Sequence, residues 1–274
     1  MSKASITIDA SSARVRYWQD LWSYKDLLYF LSWRDILVRY KQTVIGVGWA
    51  VLRPLLTMLI FTFVFGKVAA LPSYGIPYSL LVFSAMLPWY FFSNTFSECA
   101  SSLVSNGNMI SKIYFPRLII PLSTLAVCAI DLAISFVVML GLMLWLNVLP
   151  AKEIVFLPIF VLLAAVAALG PGLWCAALNV KYRDFRYIVP FITQLGLYIS
   201  PVGFVSSVVP EKWQLLFYLN PMAAVIDLFR WSLLGEKFVP YLPGLGISFI
   251  VMVLLLVTGI RYFRKTENTF ADLI

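Results

Sequence analysis

Histidine is absent from this 274-residue chain, and only 12% of its residues are charged. The first absence removes the commonest general base and the commonest transition-metal ligand, so metal-assisted and acid–base chemistry have few groups to draw on. The second argues against a soluble domain: 61% of the residues are hydrophobic, more than a fold surrounded by water can hide. The three cysteines, Cys99, Cys128 and Cys175, fall in or near apolar runs without metal-ligand spacing and read as reduced packing residues. No Gly-x-x-x-x-Gly-Lys-Ser/Thr run occurs, so the backbone nest that cradles nucleotide phosphates is missing. No Asp-x-Asp pair occurs either, and the acids are scattered; this weighs against the rival reading of a membrane-embedded transferase acting on lipid-linked sugars. The first 13 residues hold no apolar stretch of the kind a signal peptide needs, which places the N-terminus in the cytoplasm as an expectation.

What is present is apolar sequence in span-sized blocks. Windows of about 20 residues fit 50–71, 78–98, 118–147, 154–178, 188–208 and 242–262. The expected fold is an all-α integral membrane protein with six transmembrane helices. Cytoplasmic ends then put sixteen Lys and Arg inside and five outside, a positive-inside bias that also accounts for the net charge of +8 without invoking nucleic acid. Three parts follow: a cytoplasmic N-terminus with an amphipathic interfacial region (1–48), a six-span transmembrane domain (49–263) and a cytoplasmic tail (264–274).

Between the last two spans the chain is neither a short loop nor a soluble domain. Asn220 can cap a helix, Pro221 suits its first turn and Gly235 can stop it. About 14 residues rise roughly 21 Å, too little to cross, so short re-entrant helices on the outer side are expected. Asp227 and Arg230, three apart, can share a helix face as a buried pair or stand as an exposed one.

Near the N-terminus, Trp18, Leu21, Trp22 and Tyr29 fall near one helical face, which suits membrane anchoring. The basic segment after it carries Arg34, Arg39 and Lys41, and Arg53 is the single charge between Val44 and Phe65. Positive-inside anchoring fits these cations, and so does an entrance for an anionic substrate, for which the planar fork of Arg is suited. Trp49, Phe61, Phe65, Trp89, Tyr90, Tyr198 and Phe204 face lipid and neighbouring helices, or line a wet path. The connection 105–117 is short and amphipathic: Met109, Ile110, Ile113 and Phe115 are available to enter a partner's cleft, with Lys112 and Arg117 at the rim, or it is an interfacial turn anchored to head groups. Asp131, mid-span, is expected to be neutral or bonded to a nearby Ser or Thr; the rival is a proton-coupling group of a secondary transporter.

Several stretches, in order and spacing, resemble the permease subunits of type-2 ABC exporters of lipid-linked bacterial polysaccharides such as O-antigen, capsule and teichoic acid. They are Arg34-Asp35-Ile36 with Arg39-Tyr40-Lys41-Gln42-Thr43, Gly46-Val47-Gly48-Trp49, Pro88-Trp89-Tyr90-Phe91-Phe92, Lys112-Ile113-Tyr114-Phe115-Pro116-Arg117, Tyr182-Arg183-Asp184-Phe185, Ser200-Pro201-Val202, Tyr218-Leu219-Asn220-Pro221 and Phe270-Ala271-Asp272. The resemblance implies a permease that does no covalent chemistry and binds no cofactor itself. It forms a homodimer in the bacterial inner membrane, joined by two copies of an ATPase subunit that holds ATP and Mg2+. Polyprenyl-diphosphate-linked polysaccharide is the implied cargo, with a drug or small-lipid exporter as the alternative. The resemblance makes Asn108, Met109, Ile110, Lys112, Ile113, Tyr114, Phe115 and Arg117 the ATPase-coupling segment. It also supports Arg34, Arg39, Lys41 and Arg53 as the substrate entrance and the seven aromatics as the glycan path.

Overall fold

The computed structural model describes residues 13–41 and 47–270. Of the residues that carry the resemblance, Gln42, Thr43, Gly46, Ala271 and Asp272 lie outside these ranges. Among the described residues all regular structure is helical: α1 (Ala13–Ser23), α2 (Lys25–Lys41), α3 (Val47–Phe61), α4 (Tyr78–Ser105), α5 (Gly107–Ile110), α6 (Ile119–Trp145), α7 (Leu157–Lys181), α8 (Phe185–Ile199), α9 (Glu211–Phe217), α10 (Pro221–Leu234) and α11 (Leu242–Thr266). A π-helical stretch, Thr62–Val68, prolongs α3.

Among the described residues four segments are both long and apolar enough to cross a bilayer: Val51–Val68, Ile119–Trp145, Lys152–Lys181 and Leu242–Thr269. The chain is a multi-pass membrane protein. α4, with 28 residues, also has the length, but Ser84, Asn94, Ser97, Glu98, Ser101 and Ser102 dilute its apolar character. It is the central helix, packed on α3, α6, α7, α8 and α10. The α7–α11 crossing is close because both helices carry glycine at the contact. A Cβ on Gly170 would stand 2.8 Å from the backbone of Leu255, and one on Gly259 would collide with the Gly170 carbonyl. With no hydrophobic drive between helices in lipid, such close backbone approach is a main source of association.

The fifth apolar run does not form the helix expected over 188–208. α8 has only 15 residues, a rise of about 22 Å. It ends at Ile199 because Pro201 lacks an N–H and forces Ser200 out of the helical region, to φ −79° and ψ 152°. The segment after it is held from α10. Arg230, with no exposed surface, donates from Nη1 to the Phe204 carbonyl at 2.7 Å, from Nη2 to Val202 at 3.0 Å and from Nε to Leu81 of α4 at 3.3 Å. The helix break leaves carbonyls that lipid cannot satisfy, and one buried guanidinium satisfies two of them together with one on α4.

α10 forms where its local signals place it. The Asn220 side chain accepts the Met222 N–H at 3.1 Å, Pro221 occupies the first turn, and Gly235 ends the helix at φ 83°. Asp227 and Arg230 are both buried, yet no ion pair joins them among the described residues. Asp227 instead accepts from the Tyr218 hydroxyl at 2.5 Å and the Ser206 hydroxyl at 2.9 Å.

Replacing Arg230 by Met strands the Val202 and Phe204 carbonyls, while that of Leu81 keeps the Ser84 hydroxyl at 2.9 Å, so the variant should lose about 3 kcal/mol of stability. Thermal unfolding in detergent measures this, and an unchanged midpoint would contradict the assignment.

Candidate functional site

Two features stand out, a charged cleft between α2, α3, α4 and α6 and the connection from α4 to α6. The cleft, about 270 Å³, is lined by Arg39, Tyr40, Trp49, Arg53, Tyr90, Asn94 and Asp131 among others. Its back wall is an ion pair: Arg39 Nη2 lies 2.9 Å from Asp131 Oδ2, and Nη1 lies 3.7 Å from Glu98 of α4. The Tyr40 hydroxyl donates to the other Asp131 oxygen. Burial, reinforced by this bond and by the charge of Asp131, pushes the Tyr40 hydroxyl above its usual range, so it stays a donor. Asp131 is therefore bound by a cation and a phenol from α2, not by a neighbouring Ser or Thr of its own span.

Opposite that pair, Arg53 is exposed one turn beyond Trp49 on α3. Its guanidinium lies over the Tyr90 ring, 5.3 Å from the centroid. The Tyr90 hydroxyl donates to Thr57 Oγ1 at 2.9 Å, which orients the ring, and Thr57 in turn donates to the Arg53 carbonyl at 3.0 Å. A cation and two aromatic side chains thus border one cavity, a combination with the chemistry to bind an anion that carries apolar groups.

The remaining expected entrance and pathway residues disperse. Arg34 directs its fork to Asp35 Oδ1, at 2.8 and 2.7 Å, and to Asn106 Oδ1 at 3.0 Å, at the start of the α4–α6 connection. Lys41 is exposed at the end of α2. Trp89 is buried against Gly196 of α8 and Phe92, and does not line the cleft. Phe61 packs edge-on to Phe65 at 5.4 Å and faces Tyr198 of α8 at 6.3 Å. Phe204 meets Phe217, 6.1 Å away, near the helix break. In the N-terminal helices, Trp18, Trp22 and Tyr29 are exposed while Leu21 turns inward, so the four do not form one face.

The α4–α6 connection corrects a further expectation. Ile110 and Phe115, expected to enter a partner, are each 4% exposed and belong to the chain's own core with Leu31, Leu103, Leu118 and Phe263. Met109 is half-buried, whereas Asn108, Lys112, Ile113 and Tyr114 face outward. Tyr114 is 89% exposed. Arg117, expected at the rim, donates instead to the carbonyl of Glu267. Sequence reasoning missed Asn94, Glu98, Asn106 and Glu267, which acquire meaning only from tertiary neighbours. Among the described residues no group of three or more Cys, Asp or Glu is placed to hold a metal ion.

Known proteins resemble this chain over most of its length. The membrane-domain model of the ABC-2 type transporter family matches residues 26–234, spanning both features. The chain is 28% identical over 260 residues to the O-antigen export system permease protein RfbA of Klebsiella pneumoniae, covering 91% of this chain and 95% of that protein. It is 27% identical over 262 residues to the RfbA of Myxococcus xanthus, covering 95% and 100%. To the capsule polysaccharide export inner-membrane protein CtrC of Neisseria meningitidis it is 25% identical over 235 residues, covering 82% and 86%. A helical multi-pass chain matched over its central 209 residues by one family model belongs to that family: it is an ABC-2 type transporter membrane protein.

Proposed function

We propose that this chain is the permease subunit of an ATP-driven exporter that moves polyprenyl-diphosphate-linked polysaccharide, O-antigen-like in class, across the bacterial inner membrane. The observation that carries the reading is the cleft where Arg53, Trp49 and Tyr90 stand together, in a chain whose near-full-length relatives are named O-antigen export permeases. Both ends are cytoplasmic in this reading, and the six crossings are α3 with its π-helical extension, α4, α6, α7, α8 with the segment beyond its break, and α11. α9 and α10 form the re-entrant pair on the outer side.

The work divides between residues as follows. Arg53 offers the diphosphate a planar fork, and Trp49 and Tyr90 offer the first sugars apolar faces. Arg39 is largely neutralised by Asp131, so it shapes the cleft more than it binds. Arg34, bonded to Asp35 and Asn106, ties α2 to the loop. α2 therefore links the loop to the cleft through two polar contacts on one rigid helix. ATP and Mg2+ are held by a separate ATPase, two copies of which meet a permease homodimer. The exposed apolar residues Leu56, Ile60 and Phe63 of α3 and Phe191, Leu195 and Tyr198 of α8 suit a second copy across the path. The docking surface on the ATPase side is Asn108, Lys112, Ile113 and Tyr114.

The isolated chain should not hydrolyse ATP, while co-expression with its cognate ATPase should yield a complex with two copies of each; robust hydrolysis by the chain alone overturns this. Tyr114→Asp should weaken the complex about tenfold by placing a charge in an apolar contact, measured by titrating labelled ATPase. Unchanged affinity would remove the loop from the interface.

Arg53→Lys keeps the charge and loses the fork, so export of surface polysaccharide should fall about tenfold at normal membrane level and normal ATPase association. Export at the unsubstituted level would leave Arg53 as an anchor only.

A further inference from the structure

The connection that carries Ile113 and Tyr114 has little structure of its own. α5 is a single turn of 4 residues, and the chain from Ser111 to Pro116 is not helical. It is held instead from the far end of the sequence. Glu267, just past α11, accepts the Arg117 backbone N–H on Oε1 at 2.8 Å and the Tyr17 hydroxyl on the same oxygen at 3.3 Å. The Arg117 guanidinium closes the ring by donating to the Glu267 carbonyl. Arg264 lies over the Tyr17 ring, 4.2 Å from its centroid. Three residues on, Phe270 is 1% exposed and packs edge-on to Phe263 at 5.3 Å, in the cluster that holds Ile110 and Phe115.

The bonded N–H lies two residues before α6, where donors lack helical partners and the helix dipole favours a negative charge. A carboxylate 150 residues away in sequence supplies both. We infer that Glu267 is a positioning residue for the coupling loop: with Phe270 it staples the end of the loop to α11 and α1, so that force applied at Tyr114 reaches the bundle and is not dissipated in the connection. This rests on the reading that the loop docks the ATPase. The N-terminal helix and the C-terminal segment thereby become parts of the transmission.

The test uses the full permease–ATPase complex in proteoliposomes, reading glycan translocated per ATP hydrolysed. Glu267→Ala should lower that ratio about fivefold, the equivalent of one lost hydrogen bond, with ATPase binding retained. Glu267→Gln keeps an acceptor oxygen for both donors and should restore most of the ratio. A normal ratio in E267A overturns the inference, as does a loss in E267Q as large as in E267A, since the acceptor would then not be what holds the loop. If E267A is not inserted, Tyr17→Phe removes one donor and keeps the ring; an unchanged ratio in that variant overturns it equally. Tyr114→Asp run alongside separates the two claims. Normal assembly in that variant rejects the docking surface itself, whereas weakened assembly with a normal ratio in E267A rejects the staple alone.

Discussion

An ionised group inside an apolar layer has to find its neutralising partner within the protein, and this requirement organises the chain. An unpaired carboxylate at the middle of a spanning helix costs about 3 kcal/mol even on the lenient insertion scale. Asp131 meets the requirement by drawing in α2: Arg39 at 2.9 Å and the Tyr40 hydroxyl both end on it. A helix whose aromatic side chains at Tyr29, Phe30 and Trp33 are exposed is thereby fixed along the bundle beside α6. The cleft exists because the pair holds α2 there. Arg230 solves the converse problem, a buried cation whose partners are the carbonyls near the break after α8 and one on α4.

These two charge sites give the proposed transporter its division of labour. Arg230, through the carbonyls of Leu81, Val202 and Phe204, and Asp227, through Tyr218 and Ser206, separately tie α10 to its neighbours. At the other end of the molecule the polar contacts run between elements distant in sequence: Arg34 to Asn106, Arg39 to Asp131, Glu267 to Arg117 and Tyr17. Together they join the α4–α6 connection to the cleft on one side and to both chain ends on the other. In the proposed coupling, a push on Tyr114 would have two routes inward, through α2 toward the cleft and through Glu267 toward α11. Neither route needs covalent chemistry in this chain.

Much of this was legible from composition and local signals, and the remainder had physical reasons for hiding. Membrane character, α6, α7 and α11 follow from apolar length, and α10 from Asn220, Pro221 and Gly235. The end of α8 is legible in Ser200-Pro201, the break at which the fifth run is expected to bend; hydropathy alone continues to residue 208 because it does not register a missing N–H. Arg39 and Asp131 were both singled out, yet their pairing spans 92 positions and leaves no local trace. The direction of Ile110 and Phe115 was misjudged for the same reason: an amphipathic loop offers two apolar faces, and Leu31, Phe263 and Phe270 decide which one turns inward. Arg53 and Tyr90 were each recognised, but their stacking depends on how α3 lies along α4.

The central claim, that this membrane chain translocates a diphosphate-linked glycan only when a separate ATPase drives it, is tested most directly by reconstitution. Proteoliposomes holding the permease with or without its cognate ATPase, and a polyprenyl-diphosphate-linked glycan in the outer leaflet, are assayed for glycan transferred to the opposite side. Transfer that requires ATP and both subunits is the predicted result. Transfer by the permease alone, or transfer driven by a proton gradient without ATP, would contradict the account.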